Sequence, residues 1–82
     1  SPNPVSENLI INFYIAKSLN TSVTIYDLTG RVVKVLTTSN LSAGIHNLMW
    51  DLNDERGKAE SGIYFIRIES GGYSETKRIV VM

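Results

Sequence analysis

Leu9-Ile10-Ile11-Asn12-Phe13-Tyr14-Ile15 repeats with a period of two: Leu9, Ile11, Phe13 and Ile15 fall on one side, Asn12 and Tyr14 on the other. A helix would gather apolar residues three and four apart, whereas strict alternation marks a pleated strand with one buried face. The same period recurs outward from this segment. Val23 and Ile25 alternate with Thr24 and Tyr26. Residues 32–38 are rich in β-branched side chains, with Lys34 out of phase with Val33 and Val35. In residues 45–52, His46, Leu48 and Trp50 share one face, and Asn47 and Met49 the other. Residues 63–69 separate Tyr64, Ile66 and Ile68 from Phe65 and Arg67. In residues 73–82, Ile79 and Val81 align, with Lys77 in phase and Arg78 opposite. Side chains that suit half-buried pleated surfaces dominate all six segments.

The separators agree. Gly30 in Leu28-Thr29-Gly30-Arg31 supplies a position for positive φ, and Ser70-Gly71-Gly72-Tyr73 is a two-residue hairpin signal. Further turns end at Gly44 and span Asn53 to Gly62. Six or seven short strands at spacings near ten residues, with no helix, describe an all-β antiparallel β-sandwich of the immunoglobulin-like or fibronectin III-like kind. Trp50 is the largest core filler, and its indole N–H needs a partner once buried. The opening Ser1-Pro2-Asn3-Pro4 reads as an extended linker, because each proline biases the residue before it toward β or polyproline geometry. The expected organisation is a linker remnant at residues 1–5, following a catalytic or adhesive neighbour, and one sandwich at residues 6–82.

Composition narrows the function. A chain of 82 residues makes one domain, which on folding hides only about 60% of its surface, so nearly every apolar side chain is needed for the core. Eight Lys and Arg balance eight Asp and Glu, which gives no electrostatic grip for nucleic acid or an anionic membrane. With no Cys there is no disulfide, thiolate zinc site or thiol nucleophile. The longest apolar runs, residues 9–11, 13–16 and 79–82, fall far short of the roughly 20 residues of a spanning helix, so no membrane insertion is expected. The start has neither the basic leader nor the apolar stretch of a signal peptide.

Catalytic candidates are few. His46 is the single His, and its phase with Leu48 and Trp50 makes it a partly buried structural imidazole. No Ser stands in a strand-turn-helix elbow, and no phosphate-binding glycine loop is present. Asp51, Asp54 and Glu55 cluster with Asn53 in a loop that could suit calcium. The EF-hand pattern fails there: Arg56 occupies the glycine position and Gly62 the twelfth, so a turn capped by Asp51 is the simpler expectation. Tyr14 and Tyr26, both opposite the apolar sets, are expected on adjacent strands, as a cross-strand pair or a sugar-stacking platform. Lys77 and Arg78 face opposite ways and make no nucleic-acid patch. The sequons Asn20-Thr21-Ser22 and Asn40-Leu41-Ser42 matter only in a glycosylating host. No enzyme activity and no cofactor are expected.

The ordered set of motifs carries more than any one of them. Ser1-Pro2-Asn3-Pro4 precedes the first strand. Ile25-Tyr26-Asp27-Leu28-Thr29-Gly30-Arg31-Val32-Val33 and Ala43-Gly44-Ile45-His46 follow, then Trp50-Asp51, the Gly57 loop, Ser61-Gly62-Ile63-Tyr64-Phe65-Ile66-Arg67-Ile68 and Thr76-Lys77-Arg78-Ile79-Val80-Val81. The whole chain resembles the type A C-terminal sorting domain of the type IX secretion system of Bacteroidetes, and the related immunoglobulin-like domain of the flagellar hook-capping protein. The resemblance implies a non-catalytic delivery tag at the end of exported hydrolases, adhesins and proteases. It implies a domain that folds in the periplasm and is recognised by the outer-membrane translocon. A cell-surface sortase then removes it, cutting in or before the linker and joining the cargo to a lipopolysaccharide. Carried over by motif, the recognition positions are Gly30, Arg31, Gly62, Tyr64, Lys77, Arg78, Ile79, Val80, Val81 and Met82. One departure stands out: family members often finish with Lys after the last strand, whereas this sequence finishes Val81-Met82. A last strand of this kind suits recognition by strand addition. A carbohydrate-binding accessory domain of a secreted hydrolase and a structural spacer remain alternatives.

Overall fold

The computed structural model describes residues 7–54 and 56–82; the expected linker at residues 1–5 lies outside them. Each of the six long alternating segments is a strand. In chain order they are β1 (Leu9–Ile15), β2 (Leu19–Asp27), β3 (Val32–Leu41), β4 (Gly44–Trp50), two short strands β5 (Asn53–Asp54) and β6 (Gly57–Lys58), then β7 (Gly62–Ser70) and β8 (Tyr73–Val81). The β5–β6 ladder folds within the loop after Trp50 and brings the strands to eight among the described residues, none of which is helical.

The long strands form two layers. β1 pairs with β4, and the larger sheet runs β3-β2-β7-β8, every pairing antiparallel. That order is the one found on the C′CFG side of immunoglobulin-type sandwiches. The alternation of the first segment survives intact: Leu9, Ile11 and Ile15 are buried, and Ile10, Asn12 and Tyr14 are exposed. Leu9 and Trp50 of the small sheet, Val23, Ile25 and Val81 of the large one and Leu52 from the loop after β4 are fully enclosed. Removing such apolar side chains from water, at about 1.5–3 kcal/mol each, is the main force holding the layers together. The Trp50 indole N–H donates to the Asn53 carbonyl at 3.0 Å, so the largest core residue hides no unpaired donor.

Two expectations need correction. Tyr14 and Tyr26 are not on adjacent strands: residues 16–18 carry the chain from the small sheet across to the large one, so Tyr14 and Tyr26 belong to different sheets. They make neither a cross-strand pair nor a shared platform. Val35 does not share the inward side of Val33. Thr37 lies opposite Val23, Val35 opposite Thr24, Lys34 opposite Ile25 and Val32 opposite Tyr26, which leaves Leu36 and Val33 as extra residues of two bulges. Each bulge inserts a residue and resets the alternation. Val33 is buried and Leu36 packs against the core, while Val35 turns to solvent.

Two backbone features close the large sheet at opposite ends. Gly71 has φ 61° at the first position of the two-residue β7–β8 turn, as a type II′ hairpin requires. At the other end the Tyr64 hydroxyl donates to the Glu60 carbonyl at 2.6 Å, and its ring meets Trp50 edge-on at 5.6 Å. A tyrosine at the start of this strand, bonded to backbone a few residues upstream, is the tyrosine corner of immunoglobulin-type sandwiches.

Candidate functional site

The loop between β2 and β3 is built on one carboxylate. Asp27 Oδ1 accepts the Thr29 amide at 2.9 Å, the Thr29 hydroxyl at 2.6 Å and the Arg31 amide at 3.0 Å. Its Oδ2 accepts Arg31 Nε at 3.1 Å. The Gly30 amide donates to the Asp27 carbonyl at 3.0 Å, and Gly30 takes φ 90°, which an L side chain resists. Thr29 and Arg31 are therefore chosen for what they donate, and Gly30 for the conformation that lets them do it. The Thr29 hydroxyl, ahead of the Arg31 and Thr29 amides and the Arg31 guanidinium, holds the Asp27 carboxyl down from its ordinary 3.8 to about 2. From this turn Arg31 also reaches the Asp54 carboxylate of β5 at 3.9 Å, with half its side chain still in solvent.

Sheet register carries the other candidates to the same place. Asp27 lies opposite Tyr64, and Tyr64 opposite Ile79, so the end of β2, the start of β7 and the end of β8 form one row. Gly62 pairs with Val81, Phe65 with Arg78 and Ile66 with Lys77. Of the ten carried-over positions, scattered over 53 residues of sequence, all but Lys77, which pairs with Ile66 at mid-strand, thus gather toward one end of the large sheet. Leu9 is opposite Trp50, whose ring contacts Tyr64, so the start of β1 belongs to that end too.

Accessibility divides the ten. Tyr64, Ile79 and Val81 point into the core, and burial raises the Tyr64 hydroxyl above its ordinary 10.0. Gly30, Arg31, Lys77, Arg78 and Met82 are exposed, with Gly62 and Val80 between. Lys77 Nζ lies 3.8 Å from Glu75, while Arg78 has no ion-pair partner among the described residues. Beside the turn, Tyr26, Leu28, Phe65 and Thr76 line an open groove on the outer face of the large sheet. Sequence reasoning missed this groove, because Tyr26 and Phe65 become neighbours only through the β2–β7 register.

The remaining candidates resolve into structural parts. His46 is half-buried, stacks on Phe13 at 5.7 Å and donates from Nε2 to the Ser42 carbonyl at 2.7 Å. Asp51 accepts the Asn53 amide at 3.0 Å, which leads the forces lowering its pKa, and Asp54 accepts the Arg56 amide at 2.8 Å. Glu55 lies outside the described residues. Among the described residues no three His, Asp or Glu gather as metal ligands. Asn20 and Asn40, the two sequon asparagines, face each other across β2 and β3 at the far end of the sheet, both exposed.

No curated protein and no solved structure matches the chain. A family model does match, over residues 2–82: the secretion system C-terminal sorting domain. With the sandwich and the ordered motifs in place, the match spans essentially the whole chain. The chain belongs to the C-terminal sorting domain family of type IX secretion.

Proposed function

We propose that this domain is a non-catalytic address that delivers a covalently attached upstream cargo through the type IX translocon to the cell surface, where a sortase releases it. The observation that carries the reading is the convergence of the β2–β3 turn, the start of β7 and the end of β8 on one end of the sandwich. A translocon reads a folded module through a reachable surface and needs no pocket. Here the exposed Gly30, Arg31, Lys77, Arg78 and Met82 form the contact set, with Gly62 and Val80 at its margin. Tyr64, Ile79 and Val81 hold that surface in register from below. The start of β1, on the same end, brings the cargo side of the chain close to what the machinery reads. The proposed domain division is a linker at residues 1–5, where the cut falls, followed by the sandwich at residues 6–82.

The test is a reporter fused upstream of residues 1–82 and expressed in a type IX-competent host. The reporter is expected outside the outer membrane. Arg31→Glu combined with Arg78→Glu is expected to retain it in the periplasm with the domain still protease-resistant. Retention of the unmutated fusion in a folded state overturns the reading.

A further inference from the structure

Among the described residues, the outer face of the β1–β4 sheet stands apart in carrying no charge. Register places its outward residues in three rows: Ile10 beside Met49, Asn12 beside Asn47, and Tyr14 beside Ile45. All six are exposed, Tyr14 by 71% and Ile45 by 76%. The two strands contain no Asp, Glu, Lys or Arg, although such residues make up 20% of the chain. Both strands of this two-stranded sheet are edges, and edge strands usually carry charge, Lys in particular, to discourage association. This face does not.

We propose that it is a self-association surface whose occupant is the same face of a second copy. Three observations favour a copy over another partner. First, an uncharged face complements an uncharged face, whereas a charged partner would lose solvation without gaining an ion pair. Second, the order apolar, amide, apolar reads the same in both directions. A two-fold axis lying in the interface along the Asn12–Asn47 row stacks Ile10 and Met49 of one copy on Tyr14 and Ile45 of the other, and amide row on amide row. Asn carries both donors and an acceptor, so that central row can hydrogen-bond to itself and fix the alignment, as isologous interfaces require. Third, the size is right for a weak pair: the four apolar residues expose on the order of 500 Å² per copy, so a dimer hides about 1,000 Å², the lower limit of specific association. A dimer of that size is weak and transient. It leaves the β2–β3 turn and β8 uncovered, since both belong to the other sheet.

Sedimentation velocity of the 82-residue chain from about 5 μM to 1 mM tests this. The expected result is a concentration-dependent shift from monomer to dimer and no larger species. Ile45→Glu is expected to raise Kd at least tenfold. Asn47→Asp, nearly isosteric, sets carboxylates of the two copies against each other in the amide row and is expected to weaken association similarly at neutral pH, with thermal unfolding unchanged. Leu28→Glu, in the β2–β3 turn away from this face, is expected to leave Kd as it is. A chain that stays monomeric at 1 mM overturns the proposal. So does association that survives both Ile45→Glu and Asn47→Asp, or that Leu28→Glu abolishes. Each result leaves the export reading intact, because the fusion assay does not depend on dimers.

Discussion

Replacing Tyr64 by Phe removes a single oxygen and isolates what the tyrosine corner contributes. The hydroxyl donates to the Glu60 carbonyl at 2.6 Å in a partly buried setting, and among the described residues no other hydrogen bond of that hydroxyl competes. The ring, 8% exposed, keeps its edge-on contact with Trp50 in the variant. The loss is therefore one hydrogen bond plus the cost of leaving a carbonyl without its partner, about 1–2 kcal/mol. For a domain of this length each kcal/mol moves Tm by about 4–8 °C, so Tyr64→Phe is expected to melt about 5–15 °C lower. Trp50 is the single Trp and is fully buried, so its fluorescence during heating reports the transition directly. Tyr64→Leu, which also forfeits the ring pair, is expected to cost a further 0.5–1.5 kcal/mol or so. A Tm for Tyr64→Phe within about 2 °C of the parent would refute the reasoning, for the corner would then be ornamental.

Acid should expose the Asp27 turn. Its carboxyl is lower in the folded state, near 2, than the ordinary 3.8, so the stability it confers is present in full above about pH 4 and is lost as pH falls toward 2. Asp27→Asn is expected to flatten that part of the Tm-against-pH curve and to lower Tm at pH 7. Leu52 is fully buried with φ 64°, a conformation β-branched residues strongly resist. Leu52→Ile, equal in volume, is expected to cost about 1–3 kcal/mol by urea denaturation, well above the same change at half-buried Leu48. At Gly71, also with positive φ, an added Cβ meets Leu19 Cδ1 at 3.3 Å, so Gly71→Ala is expected to lower stability by about 1 kcal/mol in the same assay.

Much of this molecule was readable before its structure. Strand alternation is a local property, and residues 9–15, 63–69 and 45–50 kept the faces their spacing implied. Gly30 and the Gly71-Gly72 hairpin were legible for the same reason, since a turn is written in its own residues. What escaped depends on distant partners. The bulges that bring Leu36 in and send Val35 out come from how β3 must twist against β2, which β3 alone does not encode. Consecutive strands usually pair, which would set Tyr14 and Tyr26 on neighbouring strands, but here the chain changes sheets between them. Leu52 escaped because φ > 0 ordinarily announces itself as Gly or Asn. The corner did leave a trace, a Tyr at the head of a strand four residues after Glu60, but its meaning rests on Trp50 standing beneath it. The ten candidate positions are separate motifs in sequence. Only register shows that all but mid-strand Lys77 gather toward one end.

The most direct measurement is the fraction of an upstream-fused reporter found outside the outer membrane of a type IX-competent host, taken for domains first shown to be folded by protease resistance and buried-Trp emission. The account predicts export for the parent sandwich, export for Tyr64→Phe below its melting temperature, and periplasmic retention for the folded Arg31→Glu, Arg78→Glu variant. Equal export of that folded double variant would contradict the proposed contact surface, and retention of the folded parent would contradict the delivery role itself.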